Sequence, residues 1–213
     1  MDCNFSLKHY KECLTLAKKK GYYFSTMKDY EKNINKKKVI FLRHDVDFSI
    51  ENVINMSLIE EKLGITATYF FRIHAKYNLL SYDNYKILQK ILRLGHEIGL
   101  HHEVDFALLV NKDKEKMLKM AKKFLELITE QKIKGVTPHE PNRCKKLVTD
   151  SDLKGFEYEG YSPKFVKDIK YISDSSCRWR EGCMCEFIKK GVPKLYILTH
   201  PIWWFDKSPI QNY

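Results

Sequence analysis

The pattern of apolar and polar positions along the chain predicts strands that alternate with helices. Four short stretches are apolar and rich in β-branched or aromatic side chains, as buried strands are: residues 39–42, 65–71, 97–100 and 133–136. Between them, apolar residues recur every three or four positions, as on one face of a helix, in residues 50–63, 81–94 and 111–132. This order is typical of a mainly parallel sheet with right-handed crossovers.

The two ends of the chain add further elements. Residues 5–20 have helical spacing and stop before Gly21, so they predict an amphipathic helix ahead of the main fold. Residues 22–38 are polar and irregular, which indicates a connection that holds one short turn of helix. Shorter strands are predicted near Tyr158, at 171–173 and at 194–198, so that about seven strands form an incomplete barrel. We expect one domain over residues 1–213, with residues 1–37 as an N-terminal helical extension.

Composition narrows the class of protein. The chain has 213 residues and is 44% hydrophobic, which is enough for one substantial core and argues against disorder. The 38 Lys and Arg residues exceed the 27 Asp and Glu residues and give a net charge of +11, which favours an anionic partner such as a phosphate-bearing glycan. Many lysines stand in short runs typical of helix ends, and no arginine-rich arm is present. Nucleic-acid binding is therefore disfavoured.

Leader, membrane and cysteine signals are also informative. The N-terminus, MDCNFSLKHYKEC, has no apolar leader segment, and no window approaches the ~18 apolar residues of a membrane span, so we expect a cytoplasmic protein. Without an export signal, the six cysteines are expected to be reduced. Cys177, Cys183 and Cys185 cluster, and a CxC pair can bind zinc. No second thiol pair follows at zinc-finger spacing, which favours structural thiols.

Polar side chains follow the first predicted strand at once, where the sequence reads RHDVD from Arg43 to Asp47. The C-terminal ends of parallel strands are where α/β proteins place their chemistry. On an extended backbone, Asp45 and Asp47 point to one face. Two carboxylates there suit a general base beside a metal ligand. The competing interpretation is a solvated loop in which Asp47 or Ser49 caps the next helix.

A second polar cluster, GHEIGLHHEVD, runs from Gly95 to Asp105. His101 and Asp105 are four residues apart, a spacing that brings both onto one side of a helical turn. Together with Asp47 they would form a facial set of three metal ligands, with positions left for water and substrate. A single histidine is more often a hydrogen-bonded core or surface residue, so the cluster gains weight only beside the others.

Three more polar clusters follow in order: VTPHEPNR (136–143), YISDSSCRWREG (171–182) and LTHPIWW (198–204). In the last of them, His200 follows a predicted strand and precedes Trp203 and Trp204. Tryptophans beside an active-site histidine would form an apolar wall suited to a sugar ring, or they would simply pack in the core.

The order and spacing of these five clusters resemble the polysaccharide deacetylase family, carbohydrate esterase family 4. The resemblance is closer to a divergent branch of deacetylases linked to bacterial surface-polysaccharide biosynthesis. It covers residues 39–204, and its best-matching pieces are RHDVD, GHEIGLH, YISDSSCRWREG and LTHP. It implies an α/β fold, a distorted (β/α) barrel of about seven mainly parallel strands, here with an extra N-terminal helix. The apolar pattern along the chain independently predicts the same number of strands, about seven.

The resemblance also implies roles for the metal centre and its acid and base. Asp45 matches the catalytic base, Asp47 and His101 match metal ligands, and His200 matches the general acid. The family's next ligand is usually a histidine four residues after the first, and this sequence has Asp105 there. The third ligand is therefore open among Asp105, Glu103 and His139.

Other positions match the motifs around the reacting atoms. Arg143 resembles the arginine that orients the base, although PHEPNR is not the usual form of that motif. Asp174 and Trp179 resemble a substrate-binding motif, and Trp203 and His139 are also expected to contact the substrate.

The implied function is a metal-dependent hydrolase that removes an N-acetyl or other acyl group from an amino sugar or sugar-linked precursor. Zinc is the expected ion, with cobalt, nickel, manganese or iron as alternatives. We expect a cytoplasmic substrate, such as a sugar precursor that carries phosphate. The oligomeric state of the protein is open. Two alternatives remain: a barrel that binds or regulates after losing the reaction, suggested by the altered second motif, and an amide hydrolase for a non-sugar substrate such as a cyclic ureide.

Overall fold

The computed structural model describes residues 3–140 and 153–206, which form one curled parallel sheet flanked by helices. The strands run in the order β6-β5-β4-β3-β2-β8-β7, and every strand pair is parallel. Their bounds are β1 Tyr23–Ser25, β2 Val39–Val46, β3 Thr68–Phe71, β4 Glu97–His102, β5 Gly135–Pro138, β6 Tyr158–Glu159, β7 Lys170–Ser173 and β8 Lys194–Thr199. The described residues form no ladder between β6 and β7, so the barrel stays open there, and the predicted distorted barrel is confirmed.

Helices connect most of these strands and cover the outer face of the sheet. Their bounds are α1 Leu7–Lys19, α2 Tyr30–Asn33, α3 Glu51–Lys62, α4 Tyr82–Arg93, α5 Val104–Leu109, α6 Lys114–Thr129, α7 Pro163–Val166 and α8 Met184–Lys190. The predicted N-terminal helix forms as α1, where the Ser6 side chain caps its start and Gly21, at φ +78°, follows its end. None of the described helices combines the length and apolar composition that crossing a bilayer requires.

Strand β2 is the centre of the sheet, and all eight of its residues are buried. Strand β8 pairs along one edge of β2 from Val39 to His44. The other edge is shared, because β1 pairs with Val39 to Phe41 and β3 pairs with Arg43 to Val46. The two faces of β2 follow its two-residue period. Ile40, Leu42 and Val46 pack in the core beneath the helices, while Val39 and Phe41 pack in a second core inside the barrel.

Three local predictions were wrong. The strand predicted at 39–42 continues to Val46, so Arg43 and Asp45 lie inside the strand. The strand predicted at 97–100 continues to His102, and His101 is therefore a strand residue that shares no helical turn with Asp105. The connection at 22–38 contains the predicted turn of helix, as α2, but also strand β1, which was not predicted. Arg43, Asp45 and His101 find hydrogen-bond partners inside the barrel, so β2 and β4 continue past their apolar residues, and apolar patterning does not register this.

The predicted cap at the start of α3 also differs. The N-cap position is Ile50, with no side-chain cap, although the Ser49 hydroxyl accepts a hydrogen bond from the Glu51 amide at 3.2 Å. Asp47 does not cap this helix.

A buried polar network joins the outer helices to the sheet. The Glu60 carboxylate on α3 accepts hydrogen bonds from the hydroxyls of Tyr10 at 2.5 Å and Tyr69 at 2.8 Å, and His44 Nε2 lies 3.0 Å from Oε1. Burial raises the pKa of Glu60, but the charge and hydrogen bond of His44 outweigh burial, so the net pKa is lowered. One carboxylate thus ties α1, α3, β2 and β3 together.

Glu60→Ala should destabilise the fold by about 3 to 5 kcal/mol, because two tyrosine hydroxyls and an imidazole lose their common acceptor in a fully buried part of the core. Urea unfolding followed by circular dichroism measures this loss. The matched control is Glu61→Ala, since Glu61 is exposed on the same helix and should change stability by less than about 0.5 kcal/mol. Equal stability of the two variants would contradict the importance of the network.

Candidate active site

A cavity of about 870 Å³ opens at the C-terminal ends of the strands. This volume is within the range of sites that hold small molecules. Its polar lining includes Asp45, Asp47, His101, His139 and His200, and its aromatic lining includes Phe48, Tyr161, Tyr171, Trp179 and Trp203. Residues that are far apart in the sequence are therefore collected at one place.

Strand β2 and the residue after it place two carboxylates in the cavity lining, Asp45 and Asp47, with Arg43 buried behind them. Arg43, Asp45 and Asp47 continue the barrel-facing row of the strand that begins with Val39 and Phe41. Arg43 donates from Nε to Asp45 Oδ1 at 2.7 Å and from Nη2 to Asp45 Oδ2 at 2.6 Å. Such a bidentate pair fixes the plane of the carboxylate.

Other groups hold Arg43 in turn. Its guanidinium donates to the Tyr196 hydroxyl at 2.8 Å and to the Thr137 hydroxyl at 2.5 Å, and it lies over the Tyr161 ring at 4.5 Å. Gly160 leaves room for it, since a Cβ there would meet Nη1 at 3.1 Å. Burial raises the pKa of Asp45, but the positive charge of Arg43 outweighs burial, so that the net pKa is lowered and the carboxyl is ionised.

Asp47 and His101 face each other in an arrangement that calls for a cation. His101 Nδ1 lies 3.0 Å from the Thr137 carbonyl, which can only accept, so Nδ1 donates and Nε2 is the ring nitrogen that faces Asp47. That atom lies 3.1 Å from Asp47 Oδ1, a buried oxygen without a hydrogen bond of good geometry in the described structure. Two acceptors at this distance repel each other unless a proton or a metal ion lies between them.

Two more imidazoles approach the Asp47 carboxylate. His139 Nε2 lies 3.8 Å from Oδ1, and His200 Nε2 lies 3.8 Å from Oδ2. Burial raises the pKa of Asp47, but His101, His200 and His139 outweigh it and lower the pKa to about 2. Asp47 is therefore an anion at neutral pH.

His139 is held by neighbours on its other side. Glu103 Oε1 lies 3.5 Å from His139 Nδ1 and forms an ion pair with Arg72. Arg72 also donates to the Asp47 backbone carbonyl at 2.7 Å, so one arginine supports two of the converging residues. Burial, followed by the charge of His101, lowers the pKa of His139 to about 4, so its ring is neutral at pH 7.

His200 is oriented by a buried carboxylate. Its Nδ1 lies 2.5 Å from Asp174 Oδ1, and its backbone amide donates to the same carboxylate at 3.0 Å and 3.1 Å. Trp204 Nε1 donates to Asp174 Oδ2 at 2.8 Å. Burial lowers the pKa of His200, but the charge and hydrogen bond of Asp174 outweigh it and raise the pKa to about 9. His200 is therefore protonated at neutral pH, with Nε2 turned toward Asp47.

The remaining predicted site residues fall in different places. Trp179 and Trp203 line the cavity, whereas Asp174 is fully buried behind His200 and does not reach it. Glu103 faces Arg72 and His139, and Asp105 lies on the first turn of α5, outside the described cavity lining. Arg143 lies outside the described residues. Trp204 is a core residue, packed against Phe5 and Tyr10 at ring distances of 5.4 Å and 5.2 Å.

Sequence reasoning missed the role of Arg43. The signal was present in RHDVD, because Arg43, Asp45 and Asp47 alternate and an extended strand puts all three on one face. Because the strand was predicted to end at Leu42, Arg43 was not assigned to the same face as the two aspartates.

Two donor atoms, Asp47 Oδ1 and His101 Nε2, have the spacing of two ligands of one divalent cation. Ligand atoms about 2.0 to 2.2 Å from one ion lie about 2.8 to 3.6 Å apart, and the Asp47 to His101 distance of 3.1 Å is within this range. His139 adds a second imidazole nearby, with its Nε2 3.8 Å from Asp47 Oδ1. Nitrogen and oxygen ligands of this kind suit zinc and its first-row neighbours.

Comparison with known proteins gives matches in structure only. No family model matches the chain, and no curated protein matches it in sequence. Among solved structures, a CE4 family pseudoenzyme from Bacillus anthracis matches with a TM-score of 0.51 and 17% identity over 78% of this chain and 56% of its own. A mutant of that pseudoenzyme with restored enzymatic activity matches with a TM-score of 0.53 and 17% identity over 78% of this chain and 57% of its own.

A family 4 carbohydrate esterase from Bacillus anthracis matches with a TM-score of 0.51 and 19% identity, covering 88% of this chain and 76% of the esterase. The chain thus spans little more than half the length of the pseudoenzyme and about three quarters of the esterase. At these identities, the likeness concerns the fold. The resemblance seen in the sequence is confirmed at that level, and this chain has the polysaccharide deacetylase fold of carbohydrate esterase family 4.

Proposed function

We propose that this protein is a metal-dependent hydrolase that removes an acyl group, most simply acetyl, from the nitrogen of an amino sugar or sugar-linked precursor. The observation that carries the proposal is the convergence of Asp45, Asp47, His101, His139 and His200 on one cavity. Their charge states differ, since Asp45 and Asp47 are anionic, His139 is neutral and His200 is cationic at pH 7.

Asp47, His101 and His139 are the residues that would hold the ion. When bound there, a divalent ion would make water more acidic and polarise the acyl carbonyl. We favour His139 over Asp105 and Glu103 as the third ligand, because His139 lines the cavity and presents Nε2 to Asp47. Glu103 would orient this ligand, since its carboxylate lies next to the opposite ring nitrogen of His139.

Asp45 would act as the general base. It is ionised, lines the cavity and lies 3.6 Å from His101 Nε2, next to the proposed ion-binding residues. Each carboxylate oxygen has two lone pairs, so the two hydrogen bonds from Arg43 leave acceptor capacity for a proton from the attacking water. Arg43 would be the positioning residue for this base, the role that the sequence suggested for Arg143.

His200 would act as the general acid. Water oxygen bonds to the acyl carbon, the carbon–nitrogen bond breaks, and the departing amine takes the proton from His200 Nε2. The raised pKa keeps that proton in place at neutral pH, and Asp174 stabilises the charged ring while fixing its orientation. General acid and general base steps each contribute a rate factor of about 10² to 10⁴.

The lining of the cavity supports a sugar-sized, anionic substrate. Tyr161, Tyr171, Trp179 and Trp203 offer ring faces on which the apolar face of a sugar can pack. Arg180 also lines the cavity, and the net charge of the chain is +11. A phosphate-bearing precursor, such as a nucleotide-linked N-acetyl amino sugar, matches both features.

A second candidate is a binding protein that has lost the reaction. One observation favours it: both oxygens of Asp45 accept hydrogen bonds from Arg43, and the low pKa that results makes this carboxylate a weaker base. A protein that binds metal and an N-acetylated sugar but releases no acetate would support this candidate.

The first prediction on function separates ion binding from proton transfer. Asp45→Asn and His200→Ala should each lower kcat for acetate release by about 10²- to 10⁴-fold while keeping the bound ion. Asp47→Ala should lose activity and the ion of the cavity, which is one ion fewer per chain than in the native protein. Elemental analysis and acetate assays measure the two properties. Asp105→Asn is the control and should retain both, and full activity in Asp45→Asn would reject the assigned base.

The second prediction concerns pH. The His200 pair with Asp174 raises the folded pKa from 6.5 to about 9, so its contribution to stability is complete below pH 6.5 and is lost as the pH rises toward 9. Activity that requires protonated His200 should fall through the same range. Asp174→Asn should move this alkaline limb of kcat/KM to lower pH by at least about one unit. An unmoved limb would show that His200 is not the acid.

The third prediction concerns the anionic part of the substrate. Arg180→Ala should raise KM for a phosphate-bearing N-acetyl amino sugar by about tenfold with little change in kcat, because a contact remote from the reacting atoms is lost. Arg178→Ala is the matched control, since Arg178 is exposed two residues away and does not line the described cavity. If the two variants have the same KM, Arg180 does not bind the substrate.

A further inference from the structure

A second cluster of metal-binding side chains lies away from the cavity. His9 and Cys13 lie on α1, Cys183 is the N-cap residue of α8, and Cys185 lies in the first turn of that helix. Their ligand atoms, one imidazole nitrogen and three sulfurs, all lie within 4.8 Å of one another, and all four residues are buried. None of the four lines the cavity.

The nitrogen–sulfur distances in this cluster match those around a tetrahedral ion. His9 Nε2 lies 3.3 Å from Cys183 Sγ and 3.5 Å from Cys13 Sγ. With metal–nitrogen and metal–sulfur bonds of about 2.0–2.1 Å and 2.3 Å, tetrahedral geometry separates nitrogen and sulfur by about 3.5 Å. One imidazole nitrogen thus stands at ligand distance from sulfurs of both helices.

The imidazole is supported on its other side. Glu12, one turn along α1, places Oε2 3.8 Å from His9 Nδ1. A carboxylate on that side favours a proton on Nδ1 and leaves the lone pair of Nε2 directed at the thiols, as is common for histidines that bind metals. The spacing of His9 and Cys13 puts both on one face of α1.

The alternative is that these cysteines only fill space in the core, and this explains the geometry less well than a metal site does. Buried cysteines often act as small apolar residues, and the five cysteines that the structure describes are free. An imidazole nitrogen facing two thiol sulfurs is not an apolar contact. The sequence offered only the CxC pair of Cys183 and Cys185, and the fold supplies the missing partners from the other end of the chain.

We propose that His9, Cys13, Cys183 and Cys185 form a structural zinc site with one nitrogen and three sulfur ligands. Four protein ligands leave no position for substrate, which distinguishes this site from the open one in the cavity. Binding would convert three thiols to thiolates, bond them to the ion with the neutral imidazole and release three protons to solvent.

The site would fasten the N-terminal helix to the wall of the cavity. The segment before Cys183 contains Trp179 and Gly182, which both line the cavity. Three residues of this segment, Ser176, Cys177 and Gly182, have positive φ values of 60°, 54° and 104°. An ion between α1 and the start of α8 would hold the end of this segment in place and so stabilise one side of the cavity.

The test uses the full chain, purified under reducing conditions, freed of metal and titrated with Co²⁺. Thiolate ligands give Co²⁺ an intense charge-transfer absorption in the near ultraviolet, which carboxylate and imidazole ligands do not give. We expect this band to saturate at one ion per chain in the native sequence and in Asp47→Ala. Cys13→Ser and Cys183→Ser should lose the band, bind one ion fewer and unfold at lower temperature in the zinc-loaded state.

The control is Cys177→Ser, because Cys177 is half-buried and outside the four ligands, and it should keep the band. Absence of the band in the native chain would overturn the proposal, as would a Cys13–Cys183 disulfide found by mass spectrometry under these conditions. Neither result depends on the folding of a variant. If instead the cavity binds no ion, the thiolate band would persist, and Asp47→Ala would bind as many ions per chain as the native protein.

Discussion

The two-residue period of the central strand is the constraint on which the site depends. On β2, the residues from Ile40 to Val46 at even positions enter the core beneath the helices, while Val39 and Phe41 enter the barrel. The barrel-facing row then continues into Arg43, Asp45 and Asp47, and these charges meet groups that β4, β5 and β8 bring to the same edge. A shift of one residue in the register of β2 would bury the charges beneath the helices and send the apolar row into the cavity.

Each buried carboxylate of the site stands opposite a cationic or imidazole group. Arg43 holds Asp45 through two hydrogen bonds, and His200 with Trp204 satisfies Asp174. Asp47 differs, because its Oδ1 is buried without a hydrogen bond of good geometry in the described structure and lies 3.1 Å from His101 Nε2. Imidazoles approach this carboxylate from three residues, His101, His139 and His200. A carboxylate beside imidazole nitrogens is a ligand set that suits a divalent cation.

The sequence predicted a mainly parallel sheet, most strands and helices and the five polar clusters, because apolar periodicity and glycine stops act locally. It could not place the third imidazole. His139 reaches Asp47 only because β5 pairs with β4, a long-range relation with no local signature. Helical spacing pointed instead to Asp105, since the extension of β4 to His102 depends on buried partners. For the same reason, Cys13 and Cys183 gave no joint signal across 170 residues of sequence.

The central claim is that one divalent cation lies among Asp47, His101 and His139. Anomalous diffraction from crystals grown with zinc, recorded above and below the zinc absorption edge, tests it most directly. We expect an anomalous peak in the cavity about 2.0 to 2.3 Å from Asp47 Oδ1 and from the Nε2 atoms of His101 and His139. A cavity without a peak at saturating zinc, with His101 Nε2 hydrogen bonded directly to Asp47, would contradict it.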